Sequence, residues 1–173
     1  MLYIFSGLPG TGKTTLSRHL ARQQRAVHLR VDTIEQALRE AGGPMIGPEG
    51  YHIAYRLAAD NLALALNVVA DTVNPLQVTR LAWREVALRA GAPFVEIEVI
   101  CSNEAEHRAR VETRSPDIIG FQLPTWEEVV KRAYERWDTE RILLDTAGRT
   151  PEQSIATLER MLALPNISLF SID

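Results

Sequence analysis

The run Gly7-Leu8-Pro9-Gly10-Thr11-Gly12-Lys13-Thr14 fits the pattern G-x-x-x-x-G-K-[ST], and each constrained position has a chemical reason. Glycines at 7, 10 and 12 let the backbone fold inward so that successive N–H groups face a chain of phosphates. A helix beginning at Lys13 adds the positive end of its dipole to the same spot. The Lys13 ammonium suits the β- and γ-phosphates, and the Thr14 hydroxyl suits Mg²⁺. Together with Thr15 these residues form the expected nucleotide-binding turn, with ATP and Mg²⁺ as the ligands.

Two carboxylates are candidates to complete such a site. Asp32 ends the segment Leu29-Arg30-Val31-Asp32, read as the carboxyl end of a strand, which opens onto the sheet edge where the phosphates lie. There it can take the proton of an attacking hydroxyl and align that oxygen with the γ-phosphorus, or it can cap the helix that follows. Asp71 ends a third strand, where an acid holds Mg²⁺ through water, or it is a turn residue before Asn74-Pro75. Thr72 follows Asp71, where an ATPase doing mechanical work would need a carboxylate to activate water, so a motor function is disfavoured. Asp145-Thr146-Ala147-Gly148 has the form of a GTPase switch, but it comes too late in the chain and no N-K-x-D guanine motif exists. It reads as the turn after a fifth strand, near the adenine.

Arginines supply the third signal. Of the 19 basic residues 17 are arginine, so Lys13 stands out as a place that wants a compact ammonium charge rather than a planar fork. Arg108, Arg110 and Arg114 precede an irregular stretch, and Arg132 and Arg136 follow it at helical spacing. Closure of that stretch over ATP would bring one or two of them to the phosphates, Arg114 first, with Arg110, Arg132 and Arg136 next. The catalytic set is therefore Lys13, Asp32 and Arg114. For the acceptor, Tyr51 and Tyr55 share one helical face, His52 and Arg56 another, and Arg80 with Trp83 forms an opposite wall. Asp32, Tyr51, Tyr55, Arg56 and Arg80 are the expected substrate-binding residues, and Thr14 and Asp71 the metal ligands. The histidines at 19, 28, 52 and 107 lack metal-ligand spacing, and no zinc site is expected.

The elements that must position these groups follow from periodicity and turn chemistry. Strands are expected at 2–6, 26–31, 67–70, 94–101 and 141–145. Helices are expected at 13–24, 32–41, 51–66, 76–90, 103–113, 125 to about 138, and from Pro151 onward. Thr125 with Glu128 forms a capping box, and Thr150-Pro151 a cap with proline at the first helical position. Residues 42–50 read as a Gly/Pro-rich loop, 115–124 as a mobile loop, and 166–173 as ambiguous. Strands alternating with helices call for a parallel sheet covered on both faces, an α/β fold of three layers.

At 173 residues the chain suits one domain, with a lid at about 114–124 and an acceptor-side region at about 42–60. Hydrophobic residues at 46% and charged residues at 24% exclude disordered and fibrous classes. No apolar run reaches the roughly 18 residues of a membrane span, and the N-terminus enters a strand without a leader-like segment, so a cytoplasmic protein is expected. Cys101 reads as a reduced core residue. A net charge of −3 disfavours nucleic acid as a partner, leaving a nucleotide and a small-molecule acceptor, with the protein a monomer or homodimer.

With the glycine-rich turn at the extreme N-terminus, Asp32 after strand two and an arginine-flanked lid, the chain resembles the small P-loop kinases. That group includes AAA-like and zeta-toxin-like kinases, chloramphenicol phosphotransferase, gluconate kinase and the kinase domain of phage polynucleotide kinase. The resemblance spans residues 1 to about 160, and its specific part is Gly7 to Thr14. It implies a sheet order of 2-3-1-4-5, lid arginines on ATP, and Asp32 as the base. The expected activity is transfer of the γ-phosphoryl group of MgATP to a hydroxyl of a small molecule. The alternatives are a polynucleotide 5′-hydroxyl kinase and a non-catalytic ATP-binding regulatory module.

Overall fold

A computed structural model describes residues 1–42 and 47–164. The elements in chain order are β1 (Leu2–Ser6), α1 (Lys13–Gln23), β2 (Val27–Arg30), α2 (Val31–Glu40), α3 (Glu49–Ala63), β3 (Val68–Asp71), α4 (Gln77–Arg89), β4 (Phe94–Ile100), α5 (Glu104–Thr113), α6 (Trp126–Lys131), β5 (Ile142–Asp145) and α7 (Pro151–Leu162). All strand pairs are parallel and the sheet order is β2-β3-β1-β4-β5, the order implied by the resemblance. The register sets Phe5 beside Asp71 and Arg30 beside Asp71, so the carboxyl ends of β1, β2 and β3 finish together.

Alternation along β1 sorts the core into two layers. Leu2 and Ile4 face Ala54 and Ala58 of α3 and Trp83 and Ala87 of α4. Tyr3 and Phe5 face Leu16 and Leu20 of α1 and Leu158 of α7. With a helix layer on each side, β1 is buried along its whole length and the turn that follows it stands on a fixed base. Among the described residues no helix is long and apolar enough to cross a membrane.

Two local expectations are corrected. Strand β2 stops at Arg30, and Asp32 lies in the first turn of α2. The N-cap is Arg30 with no side-chain cap bond, so the capping alternative for Asp32 does not hold. The helix expected from Thr125 to about Asp138 ends at Lys131, although its capping box is present. The cause lies in Arg80, which is fully buried. Its guanidinium donates to the carbonyls of Glu135 (2.9 Å), Arg136 (3.1 Å), Pro75 (3.2 Å) and Asn74 (3.2 Å). The Glu135 N–H donates to the Pro75 carbonyl at 2.8 Å. Backbone groups that a helix would satisfy internally are taken by Arg80 and Pro75, and Trp137 and Tyr134 close over the guanidinium. Arg132 and Arg136 are therefore not one helical turn apart. The tail 166–173 and positions 43–46 of the Gly/Pro loop lie outside the described residues.

Candidate active site

The turn between β1 and α1 is shaped by its glycines. Gly7 has φ 144°, and a Cβ there would sit 2.2 Å from the Val99 carbonyl oxygen of the neighbouring strand. Gly10 has φ 87°, and a Cβ there would meet Val111 Cγ2 at 2.5 Å. Only glycine fits these positions. Behind the turn, His107 of α5 is hydrogen-bonded to the Pro9 carbonyl at 2.8 Å and stands edge-on to Trp126. The Thr146 hydroxyl contacts the Thr11 carbonyl at 2.9 Å and the Ile100 carbonyl at 3.0 Å, and it accepts from Arg110 at 2.8 Å.

In front of the turn, Lys13 Nζ lies 3.3 Å from Asp71 Oδ1, with both side chains almost wholly buried. Burial would raise the Asp71 carboxyl, but Lys13, the Thr14 hydroxyl, His28 and Arg30 together hold it below the ordinary carboxylate range. Asp71 Oδ2 is buried without a hydrogen-bond partner. A buried anionic oxygen left over beside a threonine hydroxyl and a phosphate-type turn fits a divalent cation that keeps most of its own water.

Asp32 is a third exposed and lies 3.7 Å from Arg30 Nη2. Arg30 was not singled out from sequence, yet it links three acids. It also approaches Asp71 at 3.9 Å and makes a fork with Asp117 at 2.8 and 3.0 Å. Arg18 of α1 reaches the same Asp117 carboxylate at 2.6 Å. Its place one turn after Thr14 is the signal that could have revealed it. Segment 114–124 is thereby tied to α1 and β2, and with the glycine-rich turn, Lys13, Thr14 and Asp32 it lines a cleft of about 1060 Å³. Arg114 has a buried Nε without a partner; burial lowers its pKa against the pull of Asp32. Arg110 also borders the cleft, but its guanidinium is engaged with Thr146 and Glu106.

Of the residues expected to bind the acceptor, Tyr51 and Tyr55 pack against each other with ring centroids 6.0 Å apart, but only Asp32 borders the cleft. Arg80 is spent on backbone carbonyls, as described above. The Tyr51 hydroxyl accepts from the Thr72 hydroxyl at 2.6 Å and from the Asn74 N–H at 2.9 Å, fastening the loop after β3. Tyr55 donates to the Thr79 carbonyl at 3.2 Å and stands edge-on to Trp83. Arg56 is on the exposed side of α3. Apart from Asp32, none of this set borders the cleft, whose far end is lined instead by Glu35, Gln36, Arg39, Glu40, Phe121 and Arg132. Burial and Asp32 push the Glu35 carboxyl up, opposed by Arg39 and Arg132.

A family model described as an AAA domain matches residues 2–137. A protein of Aeropyrum pernix named "Probable adenylyl-sulfate kinase" is 26% identical over 160 residues, which is 88% of this chain and 87% of that protein. The APS kinase of Mycobacterium tuberculosis, in complex with AMPPNP and APS, superposes with a TM-score of 0.65 at 20% identity, covering 94% of this chain and 97% of its own. A gluconokinase of Sinorhizobium meliloti superposes with a TM-score of 0.61 at 16% identity, covering 92% and 91%. The fold is thus the one these small P-loop kinases share.

Proposed function

This chain belongs to the AAA domain family, and on that premise we propose that it is an ATP-dependent kinase that phosphorylates a hydroxyl of a small molecule. The observation that carries the reading is the convergence of Lys13, Thr14 and Asp32 on one cleft at the carboxyl ends of β1, β2 and β3, with Asp71 buried behind Lys13 at 3.3 Å. Backbone N–H groups between Gly10 and Thr15 hold the phosphates, and Lys13 exchanges its contact with Asp71 for the β- and γ-oxygens. Thr14 and, through water, Asp71 are the protein groups that would hold Mg²⁺, which would supply neutralisation of phosphate charge.

The remaining steps belong to side chains. Asp32 accepts the proton of the acceptor hydroxyl, and Arg30, 3.7 Å away, holds its carboxylate in place. Arg114, with its unpartnered Nε, answers the charge that spreads over the equatorial oxygens during transfer. Segment 114–124, tied to α1 and β2 through Asp117, excludes water that would otherwise compete with the acceptor. Gluconate and adenylyl sulfate, suggested by the named relatives, are the first acceptors to try.

Incubation of the purified protein with MgATP and hydroxylated metabolites, followed by mass spectrometry for gain of HPO₃, tests the reading. Wild-type protein should give a product, while Asp32→Asn should keep ATP affinity and lose about a hundredfold or more in transfer rate. Transfer undiminished in Asp32→Asn would remove Asp32 from the mechanism.

A further inference from the structure

His107 is buried on α5 and does not border the cleft, so it does not touch a nucleotide held there, yet its ring is aimed at the turn that would hold one. A carbonyl can only accept, so ring nitrogen Nε2 carries the hydrogen in its 2.8 Å contact with the Pro9 oxygen. The peptide bonds of the described residues are all trans, which sets the C=O and N–H of one peptide unit in opposite directions. Fixing the Pro9 oxygen on the α5 side therefore turns the Gly10 N–H away from α5 and toward the cleft that Pro9 and Gly10 border. Among the described residues that N–H has no backbone partner. The device recurs two residues on. Thr146 Oγ, also outside the cleft lining, lies 2.9 Å from the Thr11 oxygen, and the N–H of that peptide unit belongs to Gly12.

Histidine is not required at position 107 for its shape. A phenyl ring would fill the same space edge-on to Trp126, which packs with Val111, Val129 and Leu8 of the turn. What the imidazole adds is an N–H, and its burial is tolerable because the Pro9 carbonyl accepts it. The ring is held on two sides: its centroid lies 5.2 Å from that of Trp126, and a Cβ at Gly10 would come within 3.3 Å of His107 Cδ2.

Resting on the kinase reading above, we infer that His107 is a positioning residue for phosphate binding. From behind the turn it holds the Pro9–Gly10 peptide unit so that the Gly10 N–H already faces the place of the phosphates before a nucleotide arrives. The gain is one of preorganisation, since a peptide unit that is already oriented loses less freedom on binding.

Two substitutions separate the N–H from the ring. His107→Phe keeps the ring against Trp126 and loses the N–H, whereas His107→Gln keeps an N–H at similar reach and loses the ring. Both are compared with wild type by calorimetric titration with MgATP and by thermal denaturation. Affinity for MgATP should fall about tenfold in His107→Phe, whose melting temperature stays close to wild type. It should recover to within about threefold of wild type in His107→Gln, although that variant melts lower. Affinity unchanged in His107→Phe, or no better in His107→Gln than in His107→Phe, overturns the assignment and leaves the kinase reading intact. Wild-type protein that fails to bind MgATP overturns the kinase reading, and this inference with it.

Discussion

Lys13 and Asp71 form an ion pair at 3.3 Å in which neither partner has more than a tenth of its side chain exposed. A charge so placed depends on its partner, because removing one leaves the other buried and unanswered. Lys13→Met should therefore abolish nucleotide binding and also destabilise the fold by about 3 kcal/mol, somewhat less to the extent that His28 and Arg30 still face Asp71. The double variant Lys13→Met/Asp71→Leu should recover most of that stability and none of the binding. Urea titrations of the three proteins check this, and a double variant no more stable than Lys13→Met would contradict it.

Arg80 makes four donations to backbone carbonyls from a fully buried position, and it is what holds residues 132–138 out of helix. Arg80→Ala orphans those carbonyls and empties the space between Trp137 and Tyr134, so a loss of about 3–5 kcal/mol is expected. Arg80→Lys should recover only part, since an ammonium cannot span the same four acceptors. Thermal denaturation followed by tryptophan emission reads both effects; full recovery by lysine would argue that charge alone matters there.

These two arginine and lysine sites show which parts of the molecule were legible in advance. The turn from Gly7 to Thr14 was readable because backbone geometry, helix start and phosphate chemistry impose residue types at fixed local spacing. The order of the sheet was readable only through resemblance, since nothing in a strand's own residues states its neighbour. Tyr51 and Tyr55 do share a helical face, as their spacing predicted, but that face turns inward onto Trp83 and the loop after β3. The far end of the cleft was only partly legible: Arg132 stood among the lid-flanking arginines, but Glu35 and Phe121 come from α2 and segment 114–124 and meet it only through the fold. The helix expected beyond Lys131 failed for a related reason: a distant buried guanidinium outbid local propensity.

Asp117 is the point at which segment 114–124 is fastened, through Arg30 on one side and Arg18 on the other. Its carboxylate is nearly half exposed, so the pairs are screened and worth only about 1 kcal/mol together. Asp117→Asn should leave global stability nearly unchanged and raise cleavage within 114–124 by limited proteolysis about fivefold. On the proposed role of the segment in excluding water, it should also weaken transfer more than ATP binding. A proteolysis rate indistinguishable from wild type would show that other contacts fasten the segment.

Gly10 carries two separate demands, and a pair of substitutions can separate them. Its φ of 87° is strained for any residue with a Cβ, at a cost of about 1–2 kcal/mol. Independently, the added carbon would meet Val111 Cγ2 at 2.5 Å, and Val111 is buried with Trp126 and Val129 where α5 and α6 pack against the turn. Gly10→Ala should therefore weaken ATP binding and lower the melting temperature together. Adding Val111→Ala removes the methyl in the way and should restore part of the melting temperature, offset by the cavity it leaves, but ATP binding should stay weak because the backbone strain persists. If the second substitution restored ATP affinity as well, the turn would be limited by packing against α5 and not by the left-handed backbone that points its N–H groups inward.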